Sequence, residues 1–166
     1  VQRRLRRIHS PIRTLEIHMP TTTINKWDEL RYFTKDENWG DPDKMDREFL
    51  IKLDNFRHAV GLSFHVLEGY ATSGHVKDSF HYLGRAVDGR FLRNGKALDM
   101  DELVYWAYLS PFAGIGLYTW GAGGPFVHFD DRATPHGRKS IWVSHAPQKY
   151  EAFTKEALKT LVSSGT

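Results

Sequence analysis

No cysteine occurs among the 166 residues. Disulfides, cysteine nucleophiles and thiolate metal sites are therefore excluded, and a transition metal would have to be held by histidine and carboxylate. No apolar run approaches the ~20 residues of a membrane span. The segment "IHSPIRTLEIHMP" that follows "RRLRR" is too polar for a signal-peptide core, so no export signal is expected. Internal repeats and low-complexity stretches are also missing. Acidic residues are absent from residues 1–13, which carry Arg3, Arg4, Arg6, Arg7 and Arg13. Five positive charges there, against a net charge of +3, leave about two net negative charges for the rest of the chain. The basicity belongs to a tail, which either contacts anionic polymers or is a solvated terminus.

What is present is enough for one folded domain. Hydrophobic residues make up 40% and aromatics 13%, more than a disordered chain carries. Residues 1–25 read as a basic arm and linker, and 26–166 as a single domain. Met45, Phe49, Leu50, Leu53, Phe56 and Val60 recur at helical spacing after the turn-forming "WGDPD". "FHVLEGYA" and "AVDGRFL" read as strands, the second turning at "RNGKA". "DMDELVYWAYLSPF" reads as a helix with acids in its first turn and Pro111 at its end, its Tyr105, Trp106 and Tyr108 expected in the core. "GIGLYT" and "FVHFD" read as short strands joined by "WGAGG". "YEAFTKEALKTLV" reads as a closing helix with Tyr150, Phe153, Ala157, Leu161 and Val162 on one side. Helices flanking a small, mostly antiparallel sheet define an α+β fold.

One stretch, "SGHVKDSFHYLGRAVDGRF", concentrates chemistry. His75 and His81 stand six apart, and Asp88 follows His81 by seven, with Gly84 between to turn the chain. His128, in "FVHFD", is the best third partner, and strand alternation puts it on one face with Phe126 and Asp130. Two imidazoles and one carboxylate match a zinc site with an open fourth position. On spacing alone, satisfied core or surface histidines explain the same pattern.

At these residues the chain resembles a known family. "SFHYLGRAVD" is similar to the Ser-x-His-x-x-Gly-x-Ala-x-Asp signature of the zinc D-alanyl-D-alanine carboxypeptidase superfamily. "GIGLYTWGAGGPFVHFDDR" resembles its later Gly-x-Gly-x-Tyr and Val-His-x-Asp segment, and "DKMDREFLIKLDNFRHAVG" resembles the helix before its Gly-Tyr strand. The superfamily includes phage L-alanyl-D-glutamate endolysins, vancomycin-resistance dipeptidases and the hedgehog signalling domain. The resemblance covers residues 43–132. It implies an α+β zinc fold, one Zn²⁺ per chain held by His81, Asp88 and His128, and hydrolysis of an amide bond in the peptide part of bacterial peptidoglycan. It also implies an oxyanion or substrate contact for His75; a loop-capping histidine is the alternative. With no export signal, a phage-encoded or virion-associated protein is expected, or one that is cytoplasmic before release to the cell wall.

The departures from the family pattern are informative. Many catalytic members carry an acid three residues before the last histidine, where this chain has Pro125. Asp130 is the favoured substitute as general base, with orientation of an imidazole as its other reading. Relatives commonly read Gly-Tyr-Arg where this chain has "GYA", so the clamp for a terminal carboxylate is missing at Ala71. This favours an endopeptidase over a carboxypeptidase. Arg85 and Arg132 either replace the clamp or are surface residues; Arg85, Tyr118 and Trp120 are the expected substrate contacts, Trp120 within a glycine-rich lid. The alternative to an enzyme is a non-catalytic zinc-binding module that recognises a cell-wall or protein partner.

Overall fold

The computed structural model describes residues 25–154 and 156. The basic arm and most of the expected C-terminal helix lie outside the described residues. Among those described, the chain forms two α-helices and one seven-stranded sheet, an α+β architecture. The strands are β1 (Ser63–Glu68), β2 (Ala86–Arg93), β3 (Lys96–Ala97), β4 (Gly114–Tyr118), β5 (Phe126–Asp130), β6 (Ser140–Ala146) and β7 (Lys149–Ala152). Their order is β1-β2-β5-β4-β6-β7, with the short β3 on β2. Every pairing is antiparallel except β4 with β6.

Helix α1 spans Arg47–Val60. Asp46 caps its start by accepting from the Phe49 amide at 2.8 Å, and Gly61 ends it in the left-handed region at φ 71°. The face carrying Phe49, Leu50, Leu53, Phe56 and Val60 is buried as the periodicity requires. It meets an aromatic layer in which Phe56, Phe64, Phe91, Phe112 and Phe129 contact one another edge-on or stacked. Buried Asp54 on the same helix accepts from the Arg31 and Tyr32 amides and pairs with the Arg31 guanidinium at 3.0 Å, fastening the entering segment.

Helix α2 spans Met100–Leu109, capped by Asp99. Lys139 donates to the Ser110 and Phe112 carbonyls just past its end. Tyr105 and Tyr108 depart from expectation. Both are exposed, while the same helix buries Met100, Leu103 and Ala107 and packs Trp106 partly against the core. The aromatic spacing fitted a buried face, but smaller residues on the other side take it.

The expected closing helix also needs correction. Tyr150 belongs to β7, which pairs with β6 across a tight turn where Gln148 adopts φ 59°. Phe153 leaves the strand and donates its amide to the Ile141 carbonyl. Tyr150 and Phe153, three apart, suit one side of a helix equally well. The hairpin partner decides between them, and β6 has no counterpart among the strands expected from the sequence.

Candidate metal centre

The site occupies the face of the sheet opposite α1. His128 is the middle residue of β5, with Asp88 of β2 directly across on one side and Gly116 of β4 on the other. One residue pair along, Asp130 lies between Ala86 and Gly114. His81 comes from a single 3₁₀ turn, Phe80–Leu83, opened by the Ser79 hydroxyl accepting the His81 amide and closed by Gly84. Gly84 has φ 65°, and a Cβ there would stand 2.0 Å from the Lys44 carbonyl oxygen, so the turn can close only on glycine. This is the physical content of the Ser, His and Gly in "SFHYLG".

The outer nitrogen of each imidazole is anchored. His81 Nδ1–H donates to the Gly69 carbonyl at 2.5 Å, and His128 Nε2–H donates to Asp130 Oδ2 at 2.9 Å. These bonds orient the rings and turn His81 Nε2 and His128 Nδ1 inward, toward Asp88. The two inner nitrogens are 3.2 Å apart, and Asp88 Oδ1 stands 2.8 Å from His128 Nδ1 and 3.5 Å from His81 Nε2. Two imidazole nitrogens and a carboxylate oxygen thus face one another, a set that either a proton on His128 or a metal ion can join. Ligands at ~2.0–2.2 Å around one tetrahedral ion stand about 3.3–3.6 Å apart; the two His81 separations come close to this, and the His128–Asp88 pair, at hydrogen-bond distance, would open by about half an ångström to admit an ion. The donor set therefore fits a divalent metal, and His81, Asp88 and His128 form a buried group that could hold one.

The carboxylates set the charge of the group. Burial opposes ionisation of Asp88, but hydrogen bonds from His128 and His81 outweigh it and hold the carboxyl below the usual carboxylate range. Burial also opposes a charged His128; Asp130 and Asp88 overcome it and hold its pKa up at about 9. Asp130, likewise, stays ionised against burial through His128 and Arg132.

Asp130 therefore takes the orienting place that the sequence had left as its second reading. One oxygen receives His128, and Arg132 donates from Nε at 2.8 Å and from Nη2 at 2.6 Å. Asp130 lines the cleft, but its side chain is fully buried and both of its oxygens are engaged by His128 and Arg132. Gly114 makes room for it: a Cβ there would lie 2.1 Å from Asp130 Oδ1.

His75 sits in front of the group. Its ring stacks on His81 at 4.2 Å and 12°, Nε2 lies 3.2 Å from Glu68 Oε2, and the Tyr82 hydroxyl bonds both its amide and its carbonyl. The cleft over the group encloses about 1020 Å³, and Tyr118, Trp142, Arg132 and Phe80 are among its walls. Tyr118 is thus where the sequence placed it; burial first, then the negative charge of Asp88, pushes its hydroxyl pKa up, so it remains a donor.

Two expected substrate contacts are not brought to the cleft. Arg85 pairs with Asp131 at 2.9 Å on the other side of β5, because adjacent strand residues face opposite ways. Trp120 donates its indole N–H to the Ser144 hydroxyl at 2.9 Å and packs edge-on against Tyr118 and Phe126, behind the cleft wall. Sequence reasoning missed Trp142, whose ring lies 5.3 Å from His128, and the hairpin residues Gln148 and Tyr150 on the rim. The alternation in "SIWVSHA" was the available signal for the first.

Comparison with protein-family models finds no match, and none of the curated proteins searched matches the chain.

Proposed function

We propose that this chain is a zinc-dependent peptidase acting on the peptide part of bacterial peptidoglycan, as an endopeptidase. The observation that carries the reading is the orientation of the three inner atoms. Both imidazoles have their outer nitrogens committed, and their inner nitrogens meet the Asp88 carboxylate at the floor of a large open cleft. Three protein ligands with an accessible fourth side are the composition of a catalytic rather than a closed structural zinc site. When bound, zinc supplies Lewis acidity and an activated water at neutral pH.

The chain's own residues supply position. Asp130, clamped by Arg132, keeps His128 in the tautomer that presents Nδ1. His75, held at its backbone by Tyr82 and at its ring by Glu68, is placed to hydrogen-bond the reacting group in front of His81. Tyr118 remains protonated and can donate to a substrate oxygen across the cleft. The absence of an arginine at Ala71 favours cleavage within a peptide over removal of a terminal residue.

A second reading, a zinc-binding module without hydrolytic activity, is favoured by one observation: Asp130, the acid nearest the ligands in sequence, is engaged behind His128. A turbidity assay on purified cell walls separates the two. Clearing that chelator abolishes and zinc restores supports the peptidase; wall binding without clearing on any peptidoglycan preparation supports the module.

A further inference from the structure

Arg90 is the most deeply buried arginine among the described residues, at 8% exposure, and it forms no ion pair with any of them. Arg31, Arg47, Arg85, Arg93 and Arg132 each pair with a carboxylate, at side-chain exposures of 33–53%. Need and supply are reversed at Arg90, because a cation taken out of water requires an anion more than one left in it.

Arg90 stands on the same face of β2 as Asp88, two residues along, but outside the metal cleft. Its guanidinium lies 5.8 Å from the Phe126 ring centroid, and Nε donates to the Gly124 carbonyl at 3.1 Å. The loop between β4 and β5 folds over the rest. A Cβ on Gly121 would stand 3.2 Å from Nη2 and one on Gly123 3.4 Å from Nη1, and these two glycines and Gly124 have φ 118°, 93° and 103°. Neither Nη group has a hydrogen-bond partner among the described residues, and neither is sealed from solvent. The amides of Gly121, Ala122 and Gly123, three exposed residues, likewise donate to no acceptor there.

We propose that Arg90 and loop 121–124 form an anion site for a phosphoryl group, separate from the metal cleft and independent of a bound metal. The two Nη groups make the fork that matches a pair of phosphate oxygens, and a glycine loop of positive φ with unclaimed amides supplies donors for the others. A planar carboxylate can use the fork but has no further oxygen for the loop. The acids on this face are engaged: Asp88 by His128, and Glu68, across from Asp88 on β1, by His75. Exposed His65, opposite Arg90 on β1, has Glu37 in its field. The phosphoryl group belongs either to free phosphate or to a phosphodiester within an anionic polymer.

The test uses the full chain after equilibration with zinc and removal of excess. Amide NMR signals of Gly121, Ala122 and Gly123 and the Arg90 Nε–H signal are followed during titration with inorganic phosphate, dimethyl phosphate and acetate. The expected result is a saturable shift at these signals, half complete at or below about 1 mM for at least one phosphate probe. Acetate to the parent, and that phosphate to Arg90→Gln, should each bind at least about tenfold more weakly. Should Arg90→Gln fail to fold, the parent titration and Arg90→Lys, which keeps the charge without the fork and should bind at least about threefold more weakly, carry the test. Dimethyl phosphate binding as tightly as inorganic phosphate upholds the site for phosphodiesters; inorganic phosphate binding alone upholds it for free phosphate. The proposal is overturned by acetate binding as tightly as phosphate, or by no saturable shift at these signals up to about 50 mM. Shifts confined to residues around His81 and His128, or affinity unchanged in folded Arg90 variants, overturn it as well. Failure of the metallopeptidase reading shows separately, as absent metal or absent wall hydrolysis, and leaves these outcomes unchanged.

Discussion

The two faces of β5 are both buried and differ in chemistry. Val127 and Phe129 face α1 and are fully buried among apolar rings, and His128 and Asp130 face the cleft side and are buried almost as deeply. On the first face, burial itself stabilises, and neighbours need only fill space. On the second, each polar atom removed from water needs a partner, and the strand provides them in sequence: Asp88 and His81 to His128, His128 to Asp130, Asp130 to Arg132. Polar groups assembled at that cost at the floor of a cleft indicate a site that a folded core alone has no use for.

The comparison can be broken hardest from the apolar side. Phe129→Ala empties a position in contact with Phe56, Phe64, Phe91 and Phe112 and should cost roughly 3–5 kcal/mol of stability. Denaturant titration gives the loss; metal bound per folded chain should not change. Gly114→Ala is the next largest and attacks the polar side through space alone. Its methyl group meets the Asp130 carboxylate, and overpacking of this kind costs about 1–3 kcal/mol. Here stability and metal affinity should fall together, and an unchanged affinity would detach Asp130 from the metal group.

Asp130→Asn tests the orienting role itself. The amide can still accept from His128 but loses its charge to Arg132, so zinc affinity should drop about 10–100-fold in a competition titration, with wall hydrolysis following it. Retained affinity with a loss of ~10² or more in rate would return Asp130 to the part of general base.

Much of this was legible in the sequence, and the boundary has a physical cause. His81, Asp88 and His128 were named together because a glycine-closed turn puts His81 beside the start of β2 and alternation selects His128 over its neighbours; spacing alone fitted satisfied histidines as well, and the family resemblance made the choice. The role of Asp130 was legible only as a choice between two, since alternation gives its face but not that Arg132 closes around it. Arg85 and Trp120 are turned away from the cleft for a related reason, their side chains being engaged by Asp131 and Ser144, which are partners no spacing rule supplies. β6 and the β7 hairpin were missed because β4–β6 is a parallel pairing between segments distant in the chain, and "YEAF" carries a spacing that either structure satisfies.

Two smaller effects complete the series. Arg85→Ala removes a partly exposed ion pair on the α1 side of β5 and should cost no more than ~1 kcal/mol, without altering hydrolysis. Glu37, far from both faces, has a pKa raised by burial above 4.5 despite the Thr34 amide and Arg57 nearby. Its neutral form is favoured on folding, so the stability it contributes is present below the unfolded pKa and lost as pH rises through the folded one. Glu37→Gln should therefore match the parent at pH 3 and gain on it slightly toward neutrality; a variant that is weaker at neutral pH would show that the charge is stabilising.

The most direct measurement is the metal content of the purified parent and of His81→Ala, Asp88→Ala and His128→Ala after equilibration with zinc and removal of excess. About one zinc per parent chain, little or none in each variant, and a melting temperature that chelator lowers only in the parent is the predicted result. Full occupancy in all three variants, or none in a folded parent, contradicts the account.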